Sequence, residues 1–154
     1  MSPAEHVTVN EDDSSVTATA VVDAPAAEIF DLLRRPGEHA RITGDGTVQG
    51  VADGPELLEQ GSRFGMRMKV GVPYRVHSTV VEYEPDRTIA WAHFGGHRWR
   101  WRLEPTGDFQ TTVSETFDLS TAKLPWALRL AGYPGRHRDN VVSSVANLKR
   151  LVEE

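Results

Sequence analysis

Polar and apolar side chains alternate most regularly in residues 97–104. A period of two is the period of a β-strand, so the apolar side chains share one face and the charged ones share the other. The apolar face carries His97, Trp99, Trp101 and Leu103, and the opposite face carries three arginines and a glutamate. Two large aromatic rings and an imidazole exceed what a minimal core needs. This face is therefore predicted to form the wall of a cavity.

The same alternation predicts a run of antiparallel strands around this segment. It gives four well-marked consecutive strands and two or three weaker ones. Besides residues 97–104, the strand segments are residues 16–22, 47–51, 62–70, 74–84, 87–94 and 110–119. Gly95 and Gly96 are a two-residue hairpin signal that joins two of them. Residues 1–14 are polar and are compatible either with a frayed tail, disordered over residues 1–6, or with an early edge strand.

Helical spacing of apolar residues occurs on both sides of this run. Residues 26–33 predict a short helix after the first strand, and residues 36–46 predict a loop or a second short helix. Residues 136–153 predict a long amphipathic helix with the apolar stripe Val141, Val145, Leu148 and Val152. Such a stripe needs a surface to cover, so the sheet must curve and close over this helix. The prediction is an α+β fold formed as a single domain over residues 1–154.

Composition and charge narrow the function classes. The 154 residues are 39% hydrophobic and 25% charged, as expected of a globular protein. No apolar run is long enough for a transmembrane helix, so we expect no membrane insertion. The N-terminus lacks the pattern of a signal peptide, which favours a cytoplasmic location. The chain has no cysteine, which excludes disulfides, thiolate catalysis and cysteine-ligated metals.

Charge also bears on the partners. A net charge of −5 argues against a nucleic-acid partner, because such binders usually present a basic patch. The arginines of residues 98–102 are the local exception. They are predicted to form a solvated outer sheet face, with an acidic partner as the alternative. We expect a monomer or a homodimer.

Four segments, taken in order, resemble a known family. They are residues 21–30 (VVDAPAAEIF), 81–91 (VEYEPDRTIAW), 112–117 (TVSETF) and 147–151 (NLKRL). Together they resemble the START-related helix-grip superfamily (SRPBCC), which includes the polyketide cyclase/dehydrase and lipid-transport proteins. The resemblance covers roughly residues 7–153. It implies a curved seven-stranded antiparallel sheet wrapped around a long C-terminal helix, with two short helices after the first strand.

The resemblance also implies a hydrophobic cavity between sheet and helix. The favoured hypothesis is a protein that binds a hydrophobic small molecule there, such as a lipid, a polyketide-like molecule or another ring-bearing apolar ligand. The alternative is an enzyme of the polyketide cyclase/dehydratase type, so whether the chain is an enzyme stays open. No cofactor is expected, because Gly44–Gly46 lacks the lysine and helix start of a phosphate-binding loop. A third hypothesis is a regulatory protein in which residues 124–135 act as a lid.

Acid–base chemistry would need titratable side chains inside this cavity. The candidates are His93 and His97, which flank the hairpin turn, and Glu115, which lies between apolar neighbours on the last strand. The alternative is that these histidines are partly wet strand ends, and that Glu115 pairs with Arg102 across the sheet. No metal is expected, since neither a His-Glu-x-x-His motif nor a close pair of carboxylates is present.

Candidate ligand-binding residues come from the apolar strand faces. Aromatic side chains suit a ring-bearing ligand and methionines suit a pocket of variable shape. The predicted set is Phe64, Met66, Met68, His77, Trp91, Trp99, Trp101 and Phe117. The alternative for each of them is ordinary core packing.

Overall fold

A computed structural model describes residues 6–43, 47–93, 95–122, 126 and 137–153 of the chain. Within these residues the fold is one antiparallel sheet with two short helices and one long helix, which fits the helix-grip prediction. The strands are β1 Thr8–Glu11, β2 Ser15–Val22, β3 Val48–Asp53, β4 Arg63–Val70, β5 Val72–Glu84, β6 Thr88–Ala92, β7 Arg98–Gly107 and β8 Gln110–Asp118. The α-helices are α1 Ala26–Leu33, α2 His39–Ile42 and α3 Arg138–Glu153, with a 3-10 turn at Pro36–Glu38.

The described residues form eight strands rather than the predicted seven. The additional strand is β1, which pairs with β2 from Thr8 opposite Thr19 to Glu11 opposite Val16. Asp12 makes the turn between them, because its carboxylate accepts hydrogen bonds from the backbone N–H groups of Ser14 and Ser15. The polar N-terminal segment therefore contains an edge strand from residue 8, and the prediction of disorder over residues 1–6 falls, except for His6, outside the described residues. The proposed lid, residues 124–135, lies outside the described residues except for Trp126.

The sheet order is β1-β2-β8-β7-β6-β5-β4-β3, with every neighbouring pair antiparallel. Strands β2 and β3 follow one another in the chain but lie far apart in the sheet. The helices α1 and α2 form the connection between them. This long crossover places α2 beside α3, where the Asn147 amide donates a hydrogen bond of 3.1 Å to the Ile42 carbonyl.

A β-bulge in β5 changes which side chains face inward. The register shifts between Val80 and Glu82, so the strict alternation of the strand is broken there. Tyr74 lines the cavity, and Tyr83 also points inward, where its ring packs edge-on against Phe30 at 5.5 Å. A count of alternating positions places these two tyrosines on opposite faces, and the bulge overturns that count.

The core lies where α3 covers β2 and β8. Val141, Val145 and Leu148 of the predicted stripe are fully buried, whereas Val152 is only partly buried. The small inward side chains Ala18 and Ala20 let the helix approach the sheet closely. Burying each valine or leucine contributes about 1.5–3 kcal/mol, so this stripe is a major source of stability. No described helix is long and apolar enough to cross a membrane.

The arginines of β7 lie on the outer face, as predicted. Glu82 accepts hydrogen bonds from Arg98 and Arg100, both at 2.7 Å, and Arg100 also reaches Asp118 at 3.1 Å. Hydrogen bonds from Arg100, and then from Arg98, hold the pKa of Glu82 below its usual range. These arginines therefore neutralise acids of their own sheet. The proposed Arg102–Glu115 pair does not form, because Arg102 lies opposite Ser114.

Candidate functional site

A cavity of about 480 Å³ lies between the β4–β6 part of the sheet, α2 and the first turns of α3. Ligand sites for small molecules commonly measure roughly 300–1,000 Å³, so this volume suits a molecule with one or a few rings. Apolar atoms supply most of its wall, although about half of the lining residues carry a polar or titratable side chain. The described lining residues are His39, Thr43, Thr47, Val48, Phe64, Met66, Met68, Val70, Tyr74, Val76, Ser78, Trp91, His93, Trp99, Glu115, His137, Asn140 and Ser144.

Three rings form one corner of the wall. The imidazole of His39 stacks on Trp91, with ring centroids 4.7 Å apart and planes at 21°. Phe64 presents an edge to each of them, with both centroid distances at 5.8 Å. Such edge-to-face and stacked pairs stabilise one another beyond simple burial. The corner is therefore a preformed aromatic surface rather than a loose collection of side chains.

His39 is held in this corner as a neutral ring. Its Nε2 lies 2.8 Å from the backbone carbonyl oxygen of Leu33, which an N–H at Nε2 would satisfy. Burial disfavours the charged form and lowers the pKa of His39 to about 4, although the hydrogen bond to Leu33 works in the opposite direction. At neutral pH this side chain is therefore an uncharged aromatic component of the wall.

The hairpin between β6 and β7 brings His93 into the wall. Its Nδ1 lies 2.8 Å from the hydroxyl oxygen of Ser78 on β5. Burial, reinforced by the neighbouring His97 and His137, lowers the pKa of His93 to about 4. The rings of His93 and His97 lie 5.4 Å apart, which confirms that they meet at the hairpin end. His97 is itself buried, which lowers its pKa.

A row of cross-strand neighbours continues the aromatic surface. Trp91, Trp99 and Phe117 are directly opposite one another on β6, β7 and β8. The ring centroids of Trp99 and Phe117 lie 4.7 Å apart. His137, immediately before α3, approaches both rings, at 5.0 Å from Trp99 and 4.4 Å from Phe117. The beginning of α3 is thus packed onto the same row that forms the cavity wall.

Polar side chains lie on the side of the cavity formed by β8 and α3. Glu115 is buried and projects inward from β8, since it lies opposite Trp101. Asn140 and Ser144 are one turn apart on α3 and contribute an amide and a hydroxyl. Together they give this side of the cavity both hydrogen-bond donors and acceptors. A bound molecule would meet these polar groups as well as the aromatic rings.

The structure brings together most of the predicted site residues. Seven of them line the cavity: Phe64, Met66, Met68, Trp91, His93, Trp99 and Glu115. His97, Trp101 and Phe117 belong instead to the buried layer behind the wall. Their faces were predicted correctly, but neighbouring strands and the helices packed on the sheet cover them. They support the lining residues and do not contact the cavity.

His77 lies on the other side of the sheet. It is opposite Gly65 in β4, whereas its neighbours Val76 and Ser78 are opposite the lining residues Met66 and Phe64. Its Nε2 lies 3.3 Å from a carboxylate oxygen of Asp53, and its side chain is half-exposed. His77 therefore does not line this cavity, because strand parity places it on the outer face.

Sequence reasoning missed several lining residues. Tyr74, Val76 and Ser78 share a face with the methionines across the β4–β5 hairpin, so continuing the alternation through the turn would have found them. His39, Asn140 and Ser144 come from helices, and only the tertiary packing brings them to the cavity. No group of three or more His, Asp or Glu side chains among the described residues is arranged to hold a metal ion.

Comparisons with known proteins agree with this fold. A family model described as polyketide cyclase / dehydrase and lipid transport matches residues 13–153. An uncharacterized protein of Mycobacterium tuberculosis, Rv0088, is 36% identical over 141 residues, which make up 90% of this chain and 63% of that protein. The chain thus spans less than two thirds of the length of this relative.

Solved structures show the same architecture. Protein Ms6760 from Mycobacterium smegmatis superposes with a TM-score of 0.70 at 17% identity, covering 96% of this chain and 98% of that one. The ZhuI aromatase/cyclase from Streptomyces sp. R1128 superposes with a TM-score of 0.66 at 21% identity, covering 90% of this chain and 93% of that one. At these identities the likeness establishes the fold alone.

Proposed function

Because the chain belongs to the polyketide cyclase/dehydrase and lipid transport family, we propose that it binds a ring-bearing apolar small molecule in the cavity between β4–β6 and α3. The observation that carries this proposal is the preformed corner of His39, Phe64 and Trp91. Flat aromatic surfaces favour offset stacking with a planar ligand, and a site built before the ligand arrives avoids the entropic cost of ordering it.

The rest of the lining supports the same class of ligand. Met66 and Met68 are unbranched and polarisable, so they adapt to ligands of different outline. Val48, Val70 and Val76 add aliphatic surface. Among the described lining residues no lysine or arginine is present, so nothing there would compensate the buried charge of a carboxylate or phosphate ligand. A neutral molecule fits this lining better than an anionic one.

The polar groups of the cavity, on the sheet as well as on α3, would orient such a molecule. Ser78 with His93, and Asn140 with Ser144, offer groups that both donate and accept hydrogen bonds. A few placed polar groups in an apolar pocket fix the orientation of the ligand more than they add affinity. The proposed ligand therefore carries at least one hydroxyl or carbonyl group on its ring system.

The test compares two substitutions on adjacent residues of β5. Val76→Trp places an indole inside the cavity, whereas His77→Trp places the same indole on the outer face. We expect N-phenyl-1-naphthylamine, a neutral fluorescent probe, to bind the parent protein and His77→Trp alike. Val76→Trp should weaken binding by at least about tenfold, or ~1.4 kcal/mol. Circular dichroism shows whether both variants are folded, and equal affinities for two folded variants would contradict the proposal.

A specific observation favours the cyclase/dehydratase alternative as second candidate. His93 lines the cavity, and one of its ring nitrogens is hydrogen-bonded to the Ser78 hydroxyl. Glu115 is buried and lines the same cavity, so the site holds two groups able to move protons. The weakness of this candidate is the pKa of His93, lowered to about 4 by burial and by His97 and His137. A general base works best when its pKa is near the operating pH, so His93 is a poor base at neutral pH.

An assay of dehydration separates the two candidates. A poly-β-ketone substrate that loses water with the parent protein, and not with His93→Gln, would establish the enzyme. The same variant should leave affinity for N-phenyl-1-naphthylamine nearly unchanged, because the aromatic corner stays intact. If no turnover occurs with any such substrate while the probe still binds, binding alone is the function.

A further inference from the structure

The tip of the β4–β5 hairpin, residues 69–75, projects aliphatic side chains into solvent. Val70 is 61% exposed, Val72 is 69% exposed and Tyr74 is 43% exposed. Gly71 has φ of 73°, which lets the strands reverse with Val70 directly opposite Val72. Two facing valines at a hairpin tip would ordinarily be a liability in water, because such side chains favour burial. Their exposure indicates a surface that something else covers.

Charge is unevenly distributed around this tip. Residues 62–81 contain four cationic side chains, Arg63, Arg67, Lys69 and Arg75, and no acidic one. The whole chain nevertheless has a net charge of −5. Arg67 lies opposite Arg75, and Lys69 lies opposite Pro73, so three of these cations flank the tip. Such a pairing of like charges across strands is unfavourable by itself, and an anionic partner would relieve it.

The tip is also continuous with the cavity. Met68, Val70, Tyr74 and Val76 line the cavity along the inner face of the hairpin. Val72 lies beyond them at the end of the same face. The exposed valines are therefore at the mouth of the cavity, with the cations on the opposite face of the same two strands.

We propose that the tip of the β4–β5 hairpin docks on the surface of an anionic lipid bilayer. Val70 and Val72 would enter the boundary between headgroups and acyl chains, Tyr74 would lie at the headgroup level, and Lys69, Arg67 and Arg75 would bind lipid phosphates. An anionic bilayer supplies apolar and negative surfaces side by side over a flat area. An acidic protein would satisfy the cations but would need a matching apolar recess for a convex tip.

The contact is peripheral, because a pair of valines reaches only the outer boundary of the hydrocarbon. It places the cavity mouth against the membrane, where an apolar molecule could pass between bilayer and protein without crossing water. The docking surface shares Val70 and Tyr74 with the cavity wall, but docking and occupancy of the cavity are measured by independent assays. Vesicle binding can therefore be measured with no ligand present, and probe binding can be measured with no vesicle present.

Sedimentation with vesicles tests the proposal. The parent protein should bind vesicles of phosphatidylcholine and phosphatidylglycerol, and should bind pure phosphatidylcholine vesicles much more weakly. Lys69→Glu/Arg75→Glu should lower binding to the anionic vesicles by at least about tenfold, and added salt should weaken it as well. Val72→Ser should lower binding several-fold with no change of charge.

Matched controls lie away from the tip. Arg87→Glu/Arg150→Glu reverses two exposed cations elsewhere, and Phe109→Ser removes an exposed aromatic ring from the turn at the other end of the sheet. Both should bind anionic vesicles nearly as the parent protein does, apart from the general effect of net charge. Val72 and Lys69 are outside the cavity lining, so their variants should keep the affinity for N-phenyl-1-naphthylamine.

Results of two kinds would overturn the proposal. One is absence of vesicle binding by the folded parent protein, or equal losses in the tip and control variants. The other is a concentration-dependent dimer that Val72→Ser abolishes, since a second copy of the chain would then be the occupant of the tip. If vesicle binding fails while probe binding survives, the proposed ligand-binding function stands and only the docking surface is wrong.

Discussion

Trp99 and Trp101 are two residues apart on the same face of β7, yet they lie in different surroundings. Trp101 is 2% exposed and belongs to the core, whereas Trp99 lines the cavity. The two neighbours of Trp101 across the sheet are Ile89 and Glu115, and those of Trp99 are Trp91 and Phe117. We call the region of Trp101 and Leu103 the closed end and the region of Trp91 and Trp99 the open end.

The helices packed on the inner face of the sheet explain why the two tryptophans differ in exposure. At the closed end α1 packs near β7 and α3 packs on β2 and β8, so helices fill the inner face. At the open end the short α2 stands over the sheet with a cavity beneath it. Alternation in the sequence determines which face a side chain takes, and the helices determine whether that face becomes core or wall.

The largest expected effect distinguishes the two tryptophans directly. Trp101→Ala should cost about 3–5 kcal/mol of stability, because it leaves a void in a closed core. Trp99→Ala should cost roughly 1–2 kcal/mol, because its ring already borders an open cavity. Urea unfolding followed by circular dichroism measures both free energies of unfolding. Equal losses would remove the distinction between the two ends.

The buried histidines at the open end should also make the free energy of unfolding depend on pH. The pKa of His39 falls from 6.5 in the unfolded chain to about 4 in the folded one because of burial. The unfolded chain therefore binds the proton first, so stability is full above pH 6.5 and declines as the pH falls to about 4, by roughly 3 kcal/mol. His93 should add a decline over the same interval, since its pKa is lowered similarly.

Replacing His39 with a side chain that does not titrate checks this. His39→Gln can still donate a hydrogen bond to the Leu33 carbonyl. It should make the decline in the free energy of unfolding between pH 6.5 and 4 shallower, leaving the part due to His93, as measured by urea unfolding at several pH values. An unchanged slope would show that His39 is protonated without penalty. The corner of rings would then be more hydrated than the structure shows.

A smaller effect is expected on the outer face. Arg100→Met should cost about 1–3 kcal/mol at pH 7, because it removes the shared partner of Glu82 and Asp118, both partly buried. Arg98→Met is the matched control, since Arg98 contacts Glu82 alone and is more exposed, and it should cost about 0–1 kcal/mol. Thermal unfolding of the two variants compares them. Equal losses of stability in the two variants would show that the ion pairs of Arg100 with Glu82 and Asp118 contribute no more than an exposed surface pair.

The smallest effect is expected at His77, which lies on the outer face of β5. His77→Ala breaks an exposed contact with Asp53 and should change stability by only about 0–1 kcal/mol. It should leave probe affinity unchanged, unlike Trp91→Ala or Phe64→Ala, which remove part of the aromatic corner. A clear loss of probe affinity in His77→Ala would mean that this face of the sheet takes part in binding.

The sequence was sufficient for the terminal helix and for most strand faces, because periods of 3.6 and of two are local properties. Tyr83 is an exception, because the bulge in β5 breaks the alternation before it. The sequence was insufficient where the outcome depended on partners distant in the chain. His39 stacks on Trp91 only because the crossover between β2 and β3 brings α2 over the sheet. Trp101 is buried only because helices pack on the part of the inner face where it lies. The bulge at Val80 and the pairing of β1 with β2 are likewise properties of neighbouring strands.

Fluorine NMR of protein labelled with 5-fluorotryptophan would compare the two ends in one experiment. The chain has four tryptophans, and single Trp→Phe substitutions assign each resonance. On titration with N-phenyl-1-naphthylamine, the resonances of Trp91 and Trp99 should shift in a saturable manner while that of Trp101 stays in place. A shift of Trp101 without Trp91 and Trp99, or no saturable shift of those two, would contradict binding at the open end.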